Sequence, residues 1–157
     1  MSTKVLAGET FTEFAKRIGP RLRQALIARQ GPEVGPEAAA EALRYGWENW
    51  DRIQSMDNPA GYLYRVGQSR GRKHRRPAGP LLPNIPTEHE LWVEPALPKA
   101  LDGLSVKQRT AVVLVHCFAW TYDEVGEVLG VGKTTVQNHV ERGMAKLRAA
   151  LEVDSDD

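Results

Sequence analysis

The stretch from Lys133 to Arg142, KTTVQNHVER, sets groove-reading side chains on one predicted helix. With Val136 and Val140 turned to a core, Lys133, Thr134, Thr135, Gln137 and Asn138 point outward near the helix start. A Gln or Asn amide can pair bidentately with an adenine edge, Thr can bond a phosphate or touch a thymine methyl, and Lys neutralises phosphate. Arg142 adds a backbone contact further along. A second constellation runs from Tyr62 to Arg76, YLYRVGQSRGRKHRR. It holds Arg65, Arg70, Arg72, Lys73, Arg75, Arg76 and His74 without an acid. Stacking surfaces beside phosphate-binding charge suit a nucleic-acid strand that is being unpaired. The bland alternatives are a helical bundle whose polar face only meets water, and a solvated basic flank. Trp47, Trp50 and Tyr62 also compete for a place in the core, and two of the three are expected inside.

Other chemistry is set aside on spacing. GVGKTT at 130–135 lacks the glycine a phosphate loop needs, since that position is Glu127, and no strand precedes it. His74, His89, His116 and His139 are scattered, and the single Cys117 reads as a small core residue, so no metal set forms. No catalytic residue can be singled out. The expectation is a binding protein rather than an enzyme, with no cofactor and no metal.

These residues need helices to hold them. Thr10 with Glu13 is a capping-box start for Phe11, Phe14, Ala15 and Ile18, and Gly19-Pro20 is expected to end or kink that helix. A second helical stretch, 21–30, runs into the breaker-rich GPEVGP. Pro36 then opens a long amphipathic helix repeating Ala38, Ala39, Ala42, Leu43, Trp47 and Trp50, with Glu37, Glu41 and Arg44 on its outer side. Asn58-Pro59 launches the helix that carries the basic run, with Leu63, Val66 and Tyr62 inward. From Pro77 to Pro98 periodicity disappears among prolines and glycines, which reads as an extended linker. Beyond it, Ser105 with Gln108 and Thr121 with Glu124 make two more capping boxes. The unit from Thr121 to Leu147, with Gly130 in its turn, has the layout of a helix-turn-helix. The fold class expected is all-α, two small helical domains joined by an extended linker.

The chain has 157 residues, 41% hydrophobic and 26% charged, a globular balance with no apolar run near the ~20 residues a membrane span needs. MSTKVLAGETFTEF lacks a secretory apolar stretch, so a reducing cytoplasm is the expected compartment, with no membrane partner. A net charge of +1 argues against a uniformly basic DNA coater.

Two strings, ENWDRIQSMDNPAGYLYRV and LSVKQRTAVVLVHCFAWTYDEVGEVLGVGKTTVQNHVERGMAKLR, resemble regions 2 and 4 of extracytoplasmic-function (ECF) sigma factors of the sigma-70 family. The resemblance implies domains at 9–76 (region 2) and 97–151 (region 4) around a linker, 77–96. It implies a protein that binds core RNA polymerase and directs promoter-specific transcription initiation. Its partners would be the polymerase, double-stranded promoter DNA and the melted non-template strand, with an anti-sigma factor as a further candidate and a monomer when free. Region 2 would meet polymerase through Glu37, Ala40, Glu41, Arg44 and Trp47. The -10 element would be read and opened through Tyr64, Arg65, Ser69, Arg70, Arg72 and Lys73. Lys133, Thr134, Thr135, Gln137, Asn138 and Arg142 would read the -35 element.

The sequence departs from the family at several of these positions. Ala40 stands where a polar polymerase contact is usual, Ser69 where Asn is frequent, and Lys73 where an acid or small polar residue is frequent. The common Thr-Val-Lys-Ser-Arg appears as Thr135-Val136-Gln137-Asn138-His139, exchanging charge for amides. The alternatives are a sigma-derived regulator that binds polymerase or an anti-sigma factor without opening promoters, and a stand-alone helix-turn-helix repressor.

Overall fold

The computed structural model describes residues 3–71 and 96–155. Within them the regular elements are all helical: α1 (Phe11–Glu48), α2 (Trp50–Ile53), α3 (Pro59–Gly71), α4 (Leu97–Asp102), α5 (Val106–Val112), a π-helical turn (Val113–Cys117), α6 (Tyr122–Leu129) and α7 (Lys133–Ser155). Helices α1 to α3 make one part and α4 to α7 a second. Of the expected linker only Ala96 lies among the described residues. No described helix is long and apolar enough to cross a membrane.

Local signals set the helix starts. The Glu13 N–H donates to Thr10 Oγ1 at 3.3 Å while the Thr10 N–H donates to Glu13 Oε2 at 2.9 Å. Ser105 and Gln108 do the same at 3.2 and 3.3 Å, and Thr121 and Glu124 at 3.1 Å in both directions. All three expected capping boxes therefore form, each worth about 1 kcal/mol of helix stability. Asn58 caps α3 by accepting from the Gly61 N–H at 2.9 Å.

Helix α1 departs from expectation. It continues past Gly19-Pro20 and does not end there, because Phe14, Ile18, Leu22, Ala25 and Leu26 form one buried stripe whose register continues across the proline. Burying that stripe outweighs the hydrogen bond lost at Pro20. The break comes at Gly31, where φ is 91° and ψ is 170°, a conformation glycine adopts without a side-chain clash. Pro32, rather than Pro36, opens the second arm.

The buried face of that arm is Gly35, Ala38, Ala39, Ala42 and Gly46, all small. Small residues let α3 approach closely: a Cβ on Gly46 would stand 3.3 Å from Leu63. Trp47, one position round the helix, is left 68% exposed. Trp50 instead packs edge-on to Phe11 at 5.4 Å and against Phe14 at 5.2 Å. On α3 the inward stripe is Ala60, Leu63, Tyr64 and Gly67, with Tyr62 and Val66 only half-buried.

The second part contains a turn that the periodicity hid. The Phe118 N–H bonds the Val113 carbonyl at 3.2 Å and the Trp120 N–H bonds the Leu114 carbonyl at 2.9 Å. Between them Ala119 has φ 58°, a left-handed conformation that costs a non-glycine residue roughly 1 kcal/mol. This widened, left-handed ending turns Trp120 inward, where it is only 4% exposed. Trp120, Val125 and Val128 join Phe14, Leu22 and Leu63 in one apolar cluster, so the two parts pack against each other. A smaller cluster of Ala100, Leu101, Leu104, Val112 and Leu147 holds α4 and α5 to α7.

Candidate nucleic-acid interface

Helix α6 stops at Gly130, whose φ of 72° reverses the chain, and α7 begins three residues later. A Cβ on Gly126 would lie 2.6 Å from the Val131 carbonyl, so only glycine lets the turn sit this tightly on α6. Val136, Val140 and Leu147 are buried, which fixes the rotation of α7. That rotation leaves Lys133, Thr134, Thr135, Gln137, Asn138 and Arg142 exposed on one continuous surface.

Two acids condition that surface. Lys133 Nζ lies 3.7 Å from Asp123 Oδ2, and Gln137 Nε2 donates to Glu141 Oε1 at 2.9 Å. An ionised carboxylate only accepts, so this contact directs the Gln137 nitrogen to Glu141 and leaves its Oε1 free to accept from a donor outside. His139 is half-buried in the same helix. Desolvation first, then the charges of Lys107 and Arg142, hold its pKa below the ordinary imidazole value.

On α3 the expected set divides. Tyr64 is only 2% exposed, and burial pushes its phenol pKa up, so it is a core residue and not a nucleic-acid contact. It occupies the inward stripe that Ala60, Leu63 and Gly67 define. Arg65 and Ser69 are exposed, and Arg65 Nη1 lies 3.6 Å from where a Cβ on Gly130 would stand. Arg70 is half-buried with its guanidinium 5.3 Å over the Tyr45 ring. Arg72 and Lys73, like His74, Arg75 and Arg76, lie outside the described residues.

Three further residues complete this surface. The hydroxyls of Tyr45 and Tyr62 are 3.2 Å apart, and Arg52 Nη2 donates to Tyr45 at 2.6 Å and to Tyr62 at 3.4 Å. Arg52 also lies 5.6 Å over the Tyr62 ring, and the two rings are 6.2 Å apart. The hydrogen bond with Tyr45, then that from Arg52, outweigh burial and lower the Tyr62 phenol pKa. Tyr45, Arg52, Tyr62 and Arg70 thus form an aromatic and cationic cluster of the kind that stacks unpaired bases. The sequence signal for it was the stripe Ala60, Leu63, Tyr64, Gly67: with Tyr64 inside, Tyr62 must turn toward water.

On the second arm of α1, Glu37, Ala40, Arg44 and Trp47 are exposed at three- and four-residue intervals, and Glu41 is half-buried beside them. Arg44 Nε lies 3.2 Å from Glu48 Oε1.

Residues 95–147 match the family model described as sigma-70, region 4. The whole fold is similar to that of the sigma factor RpoE in its complex with the anti-sigma factor NepR from Bartonella quintana. The TM-score is 0.61 at 20% identity over 92% of this chain and 98% of that one. It is also similar to CnrH in complex with the cytosolic domain of CnrY, with a TM-score of 0.60 at 24% identity over 94% and 92%. These two likenesses are of fold, and the match to sigma-70 region 4 is confined to residues 95–147. No curated protein sequence matches it significantly. The helix-turn-helix of α6 and α7 falls inside the segment that matches region 4, up to Leu147. The α1 to α3 part, with the Tyr45–Arg52–Tyr62 cluster, precedes it.

Proposed function

We propose that this chain binds core RNA polymerase and directs it to promoters, with 9–76 acting as region 2 and 97–151 as region 4. The observation that carries the reading is the surface of α7. Six groove-reading side chains stand exposed on a helix whose rotation is fixed by Val136, Val140 and Leu147, within a segment that matches sigma-70 region 4. Those six residues read the -35 element in duplex form. The Tyr45–Arg52–Tyr62–Arg70 cluster, with Arg65 and Ser69, meets the -10 element as its strands part, and the stripe Glu37, Ala40, Glu41, Arg44 and Trp47 meets the polymerase. Trp47 supports the last assignment, because a large aromatic side chain exposed on a helix face is the kind of anchor that protein interfaces bury.

Purified core polymerase supplied with this chain is expected to give run-off transcripts from defined start sites, with permanganate-reactive thymines upstream of each. Transcripts that remain nonspecific with and without the chain would overturn the reading. An anti-sigma partner is proposed on narrower grounds: RpoE, which shares this fold, is held in complex with the anti-sigma factor NepR.

A further inference from the structure

Resting on that promoter reading, we infer that Glu141 is a specificity-determining residue: by holding the Gln137 amide in one orientation, it makes the base pair beneath Gln137 an adenine position and turns away guanine and thymine. Both side chains are exposed on α7, and Gln137 Nε2 donates to Glu141 Oε1 at 2.9 Å. Val136 and Val140, each one position before, are buried, which fixes the direction in which the pair points. Side chains four residues apart are neighbours on a helix, so the contact needs nothing beyond α7 to form.

A glutamine alone is an ambiguous reader. Its amide carries an acceptor on one side and a donor on the other, and a half-turn about the last side-chain torsion exchanges them. Glu141 removes that freedom, because a carboxylate accepts and cannot donate. In the reversed amide, Gln137 Oε1 would face Glu141 Oε1, two acceptors with no hydrogen between them. The amide nitrogen has two hydrogens, and Glu141 takes one. The groove is left with one acceptor, Oε1, beside one donor, the second N–H. Adenine shows the matching pair in the major groove, an N6 amino donor beside the N7 acceptor. Cytosine offers the N4 donor alone, so it satisfies Oε1 and ranks second. Guanine sets O6 and N7, and thymine sets O4, against Oε1. Either base fits only if the amide turns and breaks its bond to Glu141. The charge of Glu141 supports this role. A carboxylate on a helix face that meets phosphates weakens binding to every sequence, and what it adds is discrimination between sequences.

The test selects duplexes from a pool of random-sequence DNA with the full chain, once alone and once on core polymerase, and reads base preference by sequencing. Gln137→Ala locates the position, where preference should disappear. In the wild type that position should hold adenine first and cytosine second, with guanine and thymine roughly tenfold or more behind adenine. Glu141→Ala should bring guanine and thymine to within about threefold of adenine there, leave the Asn138 position unchanged, and raise overall affinity about two- to fivefold. Exchanging the pair, Gln137→Glu with Glu141→Gln, keeps the hydrogen bond in reverse and turns an acceptor alone toward the groove. Cytosine should then replace adenine, a gained preference that a misfolded helix could not produce. Guanine or thymine first in the wild type, no position emptied by Gln137→Ala, or an unchanged order in Glu141→Ala would overturn the inference. If the selected duplexes support no run-off transcription while the adenine position and its dependence on Glu141 persist, the promoter reading alone falls. A chain that selects no sequence, alone or on polymerase, would overturn both.

Discussion

On α7 the outward groups are amides and hydroxyls set between the cations Lys133 and Arg142, with Asp123 and Glu141 drawing on Lys133 and Gln137. On α3 and its neighbours they are tyrosine rings and guanidiniums bonded to one another. The first arrangement spends charge to aim donors and acceptors, which suits base edges inside an intact groove. The second offers π-faces and diffuse positive charge, which suits bases that have left the helix. On the proposed reading, one chain carries two solutions to DNA binding, distinguished by whether the duplex is closed or open at the point of contact.

The sharpest way to break this comparison is to cross the two surfaces with two ligands. Tyr62→Ala is expected to weaken binding of a single-stranded -10 oligonucleotide by about 1–3 kcal/mol and leave duplex -35 binding unchanged. Asn138→Ala should do the reverse, losing about 1–3 kcal/mol at one base pair of the duplex site. Fluorescence anisotropy on both ligands decides it, and equal losses on both would erase the distinction. Glu141→Ala should sharpen the same comparison more modestly. Removing an acid that holds Gln137 is expected to raise duplex affinity by about 0.5–1 kcal/mol while weakening discrimination at the Gln137 base pair, read from a panel of single-base variants.

Salt dependence gives a smaller contrast. Arg52→Ala should reduce the slope of log K against log salt by about 0.7 on single strands, and Lys133→Ala by about 0.9 on duplex. Smallest is a pH effect confined to the second part. His139 has a folded pKa below its unfolded value, so the unfolded state binds more protons between the two and stability rises with pH. Thermal melts should show the full stability above the ordinary imidazole value of about 6.5, declining as pH falls from there to the folded value. His139→Gln should flatten that decline.

Much of this was legible in the sequence where the signal is local. Three capping boxes, the Asn58 cap and the glycine turn at 130 depend on residues within a few positions of each other, and each forms where the residue types place it. The rotation of α7 was legible as well, because Val136, Val140 and Leu147 repeat at helical spacing against polar neighbours. Where burial depends on partners distant in sequence, the pattern misled. Trp47 and Trp50 drew attention to one face of the second arm, yet the buried face there is the small-residue stripe from Ala38 to Gly46, which lets α3 come close. Tyr62 and Tyr64 differ by two positions, about 200° round a helix, so one had to lie inside. Only the stripe through Ala60 and Gly67 says which. The π-helical turn and the left-handed Ala119 have no periodic signature at all, and with them the inward turn of Trp120 was hidden.

Glu124 and Asn58 each divide one side chain between two duties. Glu124 Oε1 closes the α6 capping box while its other oxygen meets Arg21, and Asn58 Oδ1 caps α3 while Nδ2 reaches the Glu127 carbonyl. A side chain already pinned by its own helix loses little further rotamer entropy when it bonds across to another. These contacts should therefore be stronger than exposed pairs of the same chemistry. In each residue the atom that caps its own helix differs from the atom that reaches across, so losing the cross-contact would leave both helix ends capped.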